Sequence, residues 1–109
     1  MTNLLNETML LFKQLEKTAA DIDFIGSSDG EYVCYWDTFI HIADVEYDNS
    51  FGFNEVASNL VIVFKDGTWL SRGEYDGSEW WNVHRLPKKK DDAKPVTNVM
   101  NIDYGDEVS

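Results

Sequence analysis

The sequence predicts an α+β fold: an N-terminal amphipathic helix packed on an antiparallel β-meander of about four to five strands. Three observations carry this. Apolar residues recur at helical spacing near the N-terminus. Two Asp-Gly pairs separate three strand-like runs in the second half. The length, 109 residues, supports one hydrophobic core but not two.

Leu4, Thr8, Leu11 and Leu15 form one row at i, i+4, i+7 and i+11, widened by Leu5, Met9, Phe12 and Ala19. A helix is expected over residues 3–20 with this stripe against the core. Asn6, Lys13, Gln14 and Lys17 fall opposite, and Thr2 or Asn3 can cap the first turn. Asp21 to Ile25 is a connector or short strand, followed by a loop at Gly26-Ser27-Ser28-Asp29-Gly30. Glu31 to Trp36 reads as a strand, with Tyr32, Cys34 and Trp36 on one face and Val33 and Tyr35 on the other. From Asp37 to Asp48, alternation through Ile40 and Ile42 favours a strand, while Trp36, Phe39, Ile40 and Ala43 also fit one helical face. Asp48 to Gly52 is then a loop.

Leu60 to Phe64, Thr68 to Glu74 and Ser78 to Arg85 are strands joined at Asp66-Gly67 and Asp76-Gly77, each read as a two-residue type I′ turn. Counting outward from the turns sets Phe64 beside Trp69 and His84, Ile62 beside Ser71 and Asn82, and Leu60 beside Gly73 and Trp80. The opposite face then aligns Val63, Leu70 and Val83, and next to them Val61, Arg72 and Trp81. Gly73 leaves room for Trp80. Trp80 and Trp81 point to opposite faces. One face packs on the helix; the other is covered by residues 31–48 or left partly open, and an open Trp81 beside Arg72 would be a recognition surface. The same register sets Glu74 against Glu79, a like-charge pair that a bulge can relieve. The domain is expected to span residues 1–87. Residues 88–95 are a charged linker, and residues 96–109 hold a possible edge strand from Val96 to Ile102 and an acidic tail.

Net charge is −11 and unevenly placed. The 47 residues between Lys17 and Lys65 contain no Lys or Arg but nine acids, Asp21, Asp23, Asp29, Glu31, Asp37, Asp44, Glu46, Asp48 and Glu55. Such a block repels nucleic-acid backbones and anionic membranes, attracts a basic partner, and otherwise serves solubility. The candidate partner-binding residues are Asp37, Asp44, Glu46, Asp48 and Glu55, joined by Arg72 and Trp81 from the sheet.

Other chemistry is disfavoured. No apolar run approaches a membrane span, and the N-terminus lacks the pattern of a signal peptide. Cys34 is the single cysteine, so no internal disulfide forms and a reducing cytoplasm is the expected compartment. Asp44, Glu46, Asp48, Ser50, Gly52 and Glu55 fall at the ligand positions of a calcium loop, but Asn49 stands where that loop needs glycine. His41 and His84 have no nucleophile at motif spacing, and no phosphate loop or zinc spacing occurs. Neither enzymatic activity, a metal nor a cofactor is expected.

The stretch from Trp36 to His84, reading WDTFIHIADVEYDNSFG, LVIVF and DGTWLSRGEYDGSEWWNVH, resembles small uncharacterised proteins encoded by phages and prophages of Gram-positive bacteria. Its most specific part is EYDGSEWW, Glu74 to Trp81. The resemblance implies a mobile-element setting, in which small acidic proteins inhibit host defence enzymes by occupying their nucleic-acid grooves. The expected function is a non-enzymatic inhibitor of anti-CRISPR or anti-restriction type, acting by protein binding or DNA mimicry. Its partner would be a basic host protein such as a nuclease, met as a monomer or homodimer in the host cytoplasm. The alternative is a structural or assembly module that homo-oligomerises through an exposed sheet face or an edge strand.

Overall fold

In the computed structural model, which describes residues 1–48, 55–76, 78–87 and 89–99, the first helix starts at Asn3. The Asn3 side chain accepts the Asn6 N–H at 2.9 Å, satisfying one of the unpaired amides of the first turn. Helix α1 (Leu4–Leu15) buries Leu4, Thr8 and Phe12. It ends earlier than the expected residue 20. Glu16 takes a left-handed conformation (φ 57°), and its N–H and that of Lys17 close on the Lys13 and Phe12 carbonyls, a Schellman end. Ala19 therefore lies beyond α1, in a short 3₁₀ turn, Ala19–Asp21.

A two-residue strand β1 (Thr2–Asn3) precedes α1. After the 3₁₀ turn come β2 (Ile22–Ser27), β3 (Val33–Cys34), helix α2 (Trp36–Ile42), β4 (Glu46–Tyr47), β5 (Leu60–Phe64), β6 (Thr68–Tyr75) and β7 (Ser78–Arg85). The main sheet has five strands in the order β3-β2-β5-β6-β7, all pairs antiparallel, and β1 pairs separately with β4. The α+β class is as the sequence predicts. The expected loop begins later, because Gly26 and Ser27 belong to β2. A bulge between Ile22 and Phe24 turns Ile22 to the side of Phe64, so that Ile22 and Ile25 both pack toward the core.

Three expectations are corrected. Residues 37–48 are not one strand, and only Glu46–Tyr47 is extended: Trp36–Ile42 is helical, because the 3.6-residue spacing brings Trp36, Phe39 and Ala43 onto one side. Phe39 and Ala43 are buried there, while Ile42, half of the apparent alternation, is exposed. Trp36 stacks on Phe12 and Phe39 at ring separations of 5.4 and 5.7 Å. The strand expected over residues 31–36 accordingly shrinks to Val33–Cys34.

The second correction concerns the turn at Asp66. Asp66 does not take positive φ; only Gly67 does, at 91°. The Gly67 N–H reaches the Phe64 carbonyl at 3.1 Å, and the Asp66 carboxylate accepts the Thr68 N–H and pairs with Lys17. The connection is a three-residue loop with a glycine bulge. Val61 therefore faces Ser71, Ile62 faces Leu70 and Val63 faces Trp69, one residue away from the expected register. A one-residue slip reverses a strand, so Ile62 and Phe64 join Leu70 in the core. The β6–β7 register stands as expected throughout, including Gly73 opposite Trp80. A Cβ on Gly73 would lie 2.5 Å from the Trp80 indole nitrogen.

Third, Trp81 and Arg72 do not form an open surface. Both helices pack on the face that carries them, and Trp81 is 8% exposed. Its indole N–H donates to the Thr8 hydroxyl at 3.0 Å, which in turn donates to the Leu4 carbonyl at 2.7 Å. The Arg72 side chain is 2% exposed. Its guanidinium lies 4.7 Å from the Trp81 ring and 5.5 Å from the Tyr47 ring, and it donates to the Tyr47 hydroxyl at 2.9 Å. Glu7 on α1 and Glu79 on β7 lie 3.5 and 3.9 Å from it. The buried Glu79 carboxylate also accepts the Glu55 and Val56 N–H groups at 2.8 and 3.0 Å. Glu79 does oppose Glu74, but no bulge intervenes; the Glu79 charge is balanced by Arg72 and two amides. Residues 96–99 form no strand, and the rest of the expected edge strand lies outside the described residues.

Arg72→Met is expected to destabilise the fold by about 3–5 kcal/mol, because it leaves Glu79 buried without its cation. In urea unfolding, adding Glu79→Leu should recover part of that loss, and strictly additive effects would contradict the coupling. Gly26→Ala is expected to cost about 1–3 kcal/mol or more, since its Cβ would meet the Tyr32 carbonyl oxygen at 1.9 Å.

Candidate functional site

The cation-free span supplies β2, the edge strand β3, α2, β4 and the central strand β5. Three adjoining hollows share Cys34 on β3. The largest, about 380 Å³, lies between α2, β4 and residues 55–60, with Ile42, Val45, Val56 and Leu60 among its walls. The second, about 320 Å³, continues past Tyr32 and Val33. The third, about 330 Å³, lies beside Tyr35 and Trp36. Around them Tyr32, Val33, Tyr35, Ile42 and Val45 are exposed.

Carboxylates rim these hollows. Glu46 and Glu55 border the first and Asp23 and Asp37 the third. Asp37 is exposed in the first turn of α2, where the helix dipole favours an acid. Asp44 is exposed and accepts the Asn3 side-chain amide at 2.9 Å, tying the turn after α2 to the start of α1. The backbone N–H groups of Leu4 and Leu5 reach Val45 and Ala43 carbonyls in the same junction. Asp48 is half-buried, and its backbone N–H donates to the Glu55 carboxylate at 2.6 Å. The structure thus gathers Asp44, Glu46, Asp48 and Glu55 around β4 and sets Asp37 at the far end of α2. Arg72 and Trp81, expected with them, lie in the core instead.

Tyr47 joins the site to the core. Its ring lines the largest hollow, while its hydroxyl donates to Glu7 at 2.5 Å and accepts from Arg72. Burial, followed by the Glu7 hydrogen bond, pushes the phenol up to about 12. Asp29, in the loop before β3, is held below the usual carboxylate range by the Ser27 hydroxyl and then the Glu31 N–H, which makes it a loop-closing residue.

Burial pushes the Cys34 thiol above its ordinary value, which disfavours the nucleophilic thiolate. His84 stacks on Trp69 at 4.1 Å and hydrogen-bonds Ser71 at 2.8 Å. His41 is exposed on α2. No cluster of three metal-ligating side chains occurs among the described residues. Ser50 and Gly52 of the calcium-loop template lie outside them. No described helix is long and apolar enough to cross a membrane.

Sequence reasoning missed Tyr47, Glu7 and Glu79 as one group. A signal existed: Glu79 shares the face of Trp81 and Arg72, so a strand acid was bound to meet a strand cation. The exposed Tyr32, Tyr35 and Val45 had no such signal. Comparison with protein-family models, curated proteins and solved structures found no match.

The folded chain retains the Tyr47 proton to higher pH than the unfolded chain, whose phenol titrates near 10. Stability contributed by this group is therefore full below pH 10 and lost as pH rises toward about 12. Tyr47→Phe is expected to flatten that loss in denaturation curves recorded across this window; an unchanged slope would contradict the assignment.

Proposed function

We propose that this protein binds a basic partner protein and covers a surface that the partner would otherwise give to nucleic acid. The partner class that fits is a host defence nuclease of the CRISPR or restriction type, and the activity is inhibition without catalysis. One observation carries the reading: apolar hollows along β3 and α2 are rimmed by Asp23, Asp37, Glu46 and Glu55, while the sheet's Arg72 is buried and leaves that rim unneutralised. Acids at a rim steer a cationic partner and set orientation, and desolvated apolar anchors hold it. Exposed Tyr32 and Tyr35 supply aromatic anchors of the kind that interface centres favour. The resemblance of Glu74 to Trp81 to phage-encoded proteins supports the choice of a defence enzyme.

The test is inhibition of DNA cleavage by a panel of restriction and CRISPR nucleases. Inhibition is expected to weaken steeply as salt rises through the physiological range. The combined Asp44→Asn, Glu46→Gln, Asp48→Asn variant is expected to lose about 10- to 100-fold in affinity with its helix content unchanged. Salt-independent inhibition, or full activity of the triple variant, would count against the reading.

A further inference from the structure

We infer that the largest hollow receives one arginine side chain of the basic partner, and that the adjoining hollow receives an apolar side chain from the same segment. The inference rests on the partner reading above and names what that site accepts.

The largest hollow, about 380 Å³, carries its charge at Glu46 and Glu55, both exposed residues. Phe39, Tyr47 and Val56, which also line it, are buried. It is therefore apolar within and anionic at its opening. Among the described residues no Lys, Arg or His lines it. Arg72, 5.5 Å from the Tyr47 ring, is matched by two carboxylates, Glu7 and Glu79, so the group on that side does not repel a second cation. A side chain that suits this gradient has an apolar stem and a cationic tip, which limits it to lysine or arginine. Two carboxylates at one opening suit a planar fork of five donors better than a compact ammonium. Both acids are already positioned. The Glu55 carboxylate accepts the Asp48 N–H at 2.6 Å, the Glu55 N–H is held by Glu79 at 2.8 Å, and Glu46 is paired with Asn3 in the β1–β4 ladder. A guanidinium is also less strongly hydrated than an ammonium, so bringing it against Ile42 and Val45 costs less.

The adjoining hollow, about 320 Å³, shares Cys34, Ile42, Ala57 and Leu60 with the first, but among the described residues no charged side chain lines it. It opens past Tyr32 and Val33, which are 73% and 64% exposed. A charged side chain there would lose hydration without compensation, whereas an apolar one would cover Val33 and Leu60. Because four residues are common to both walls, the two side chains enter side by side from one segment. The site thus reads a basic and an apolar residue together, which a purely electrostatic surface does not do.

The test is a titration of the isotopically labelled full chain, followed by backbone amide shifts, with acetylated and amidated glycine-serine peptides. Each peptide holds one arginine and one leucine, placed one, two, three or four positions apart to span extended and helical spacing. At least one is expected to shift Val45, Tyr47, Val56 and Ala57, and with them Val33 and Asn59. Replacing its arginine by citrulline, the uncharged isostere, is expected to weaken binding at least about tenfold, and lysine also weakens it. Glu46→Gln combined with Glu55→Gln is expected to cost the arginine peptide at least about tenfold and to leave the citrulline peptide unchanged. Ala57→Phe, at an exposed position common to both hollows, is expected to remove binding of every peptide without changing charge. An unshifted Trp81 indole signal shows that each variant remains folded. Silence toward all the peptides overturns the inference, as does a citrulline or lysine peptide that binds as tightly as arginine. Shifts at the same amides on raising protein concentration alone make a second copy the occupant and overturn it too. A nuclease inhibited equally by Ala57→Phe and the unaltered chain removes the hollows and leaves the partner reading standing. Peptide binding with no nuclease inhibited supports the hollows and removes that reading.

Discussion

The buried Arg72 guanidinium is the constraint around which the rest of the structure is arranged. A cation with 2% side-chain exposure needs compensation from every direction, and each direction recruits a different element. α1 supplies Glu7, β4 supplies the Tyr47 hydroxyl and ring, and β7 supplies Glu79 and the Trp81 ring. Glu79 then extends the network to the backbone of residues 55 and 56, which no apolar contact could orient so specifically. Among the described residues the Arg72 Nε and Nη1 have no hydrogen-bond partner, and the flanking rings and the two carboxylates compensate its charge. Such a group adds little net stability over an apolar replacement, but it is intolerant of losing a single member. Its consequence is specificity of assembly: α1, β4, residues 55–56 and the β6–β7 hairpin fit together in one arrangement.

This arrangement also determines where the surface chemistry falls. The core layer formed by α1, α2 and the sheet consumes the aromatic side chains Phe12, Trp36, Phe39, Phe64 and Trp81. Of those left exposed, Tyr32 and Tyr35 flank β3 on the stretch of chain that holds no cations, and Tyr75 and Trp80 lie on the β6–β7 hairpin. Apolar anchors and acidic rims thus coincide along β3 and α2, and the rim continues through Glu55 to Glu79 on β7.

Local rules determined much of this from the sequence alone. The α1 stripe and its Asn3 cap, the β6–β7 hairpin with Asp76 at positive φ, and the notch that Gly73 makes for Trp80 follow from periodicity, side-chain capping and turn chemistry. So does the segregation of charge, which is a property of composition along the chain. Tertiary structure decided what local rules leave degenerate. Trp36 to Ala43 satisfies both a strand and a helix, and contact with Phe12 resolved it as helix. Asp66-Gly67 allows a two- or a three-residue loop, and the Lys17 and Thr68 contacts of Asp66 accompany the longer one. The face on which Trp81 and Arg72 lie was readable from alternation. That this face would be buried, and that Arg72 would find Glu7 and Tyr47 far away in sequence, depended on which side of the sheet the helices cover. No local signal carries that choice, because the energy of covering a face exists only once the layers have met.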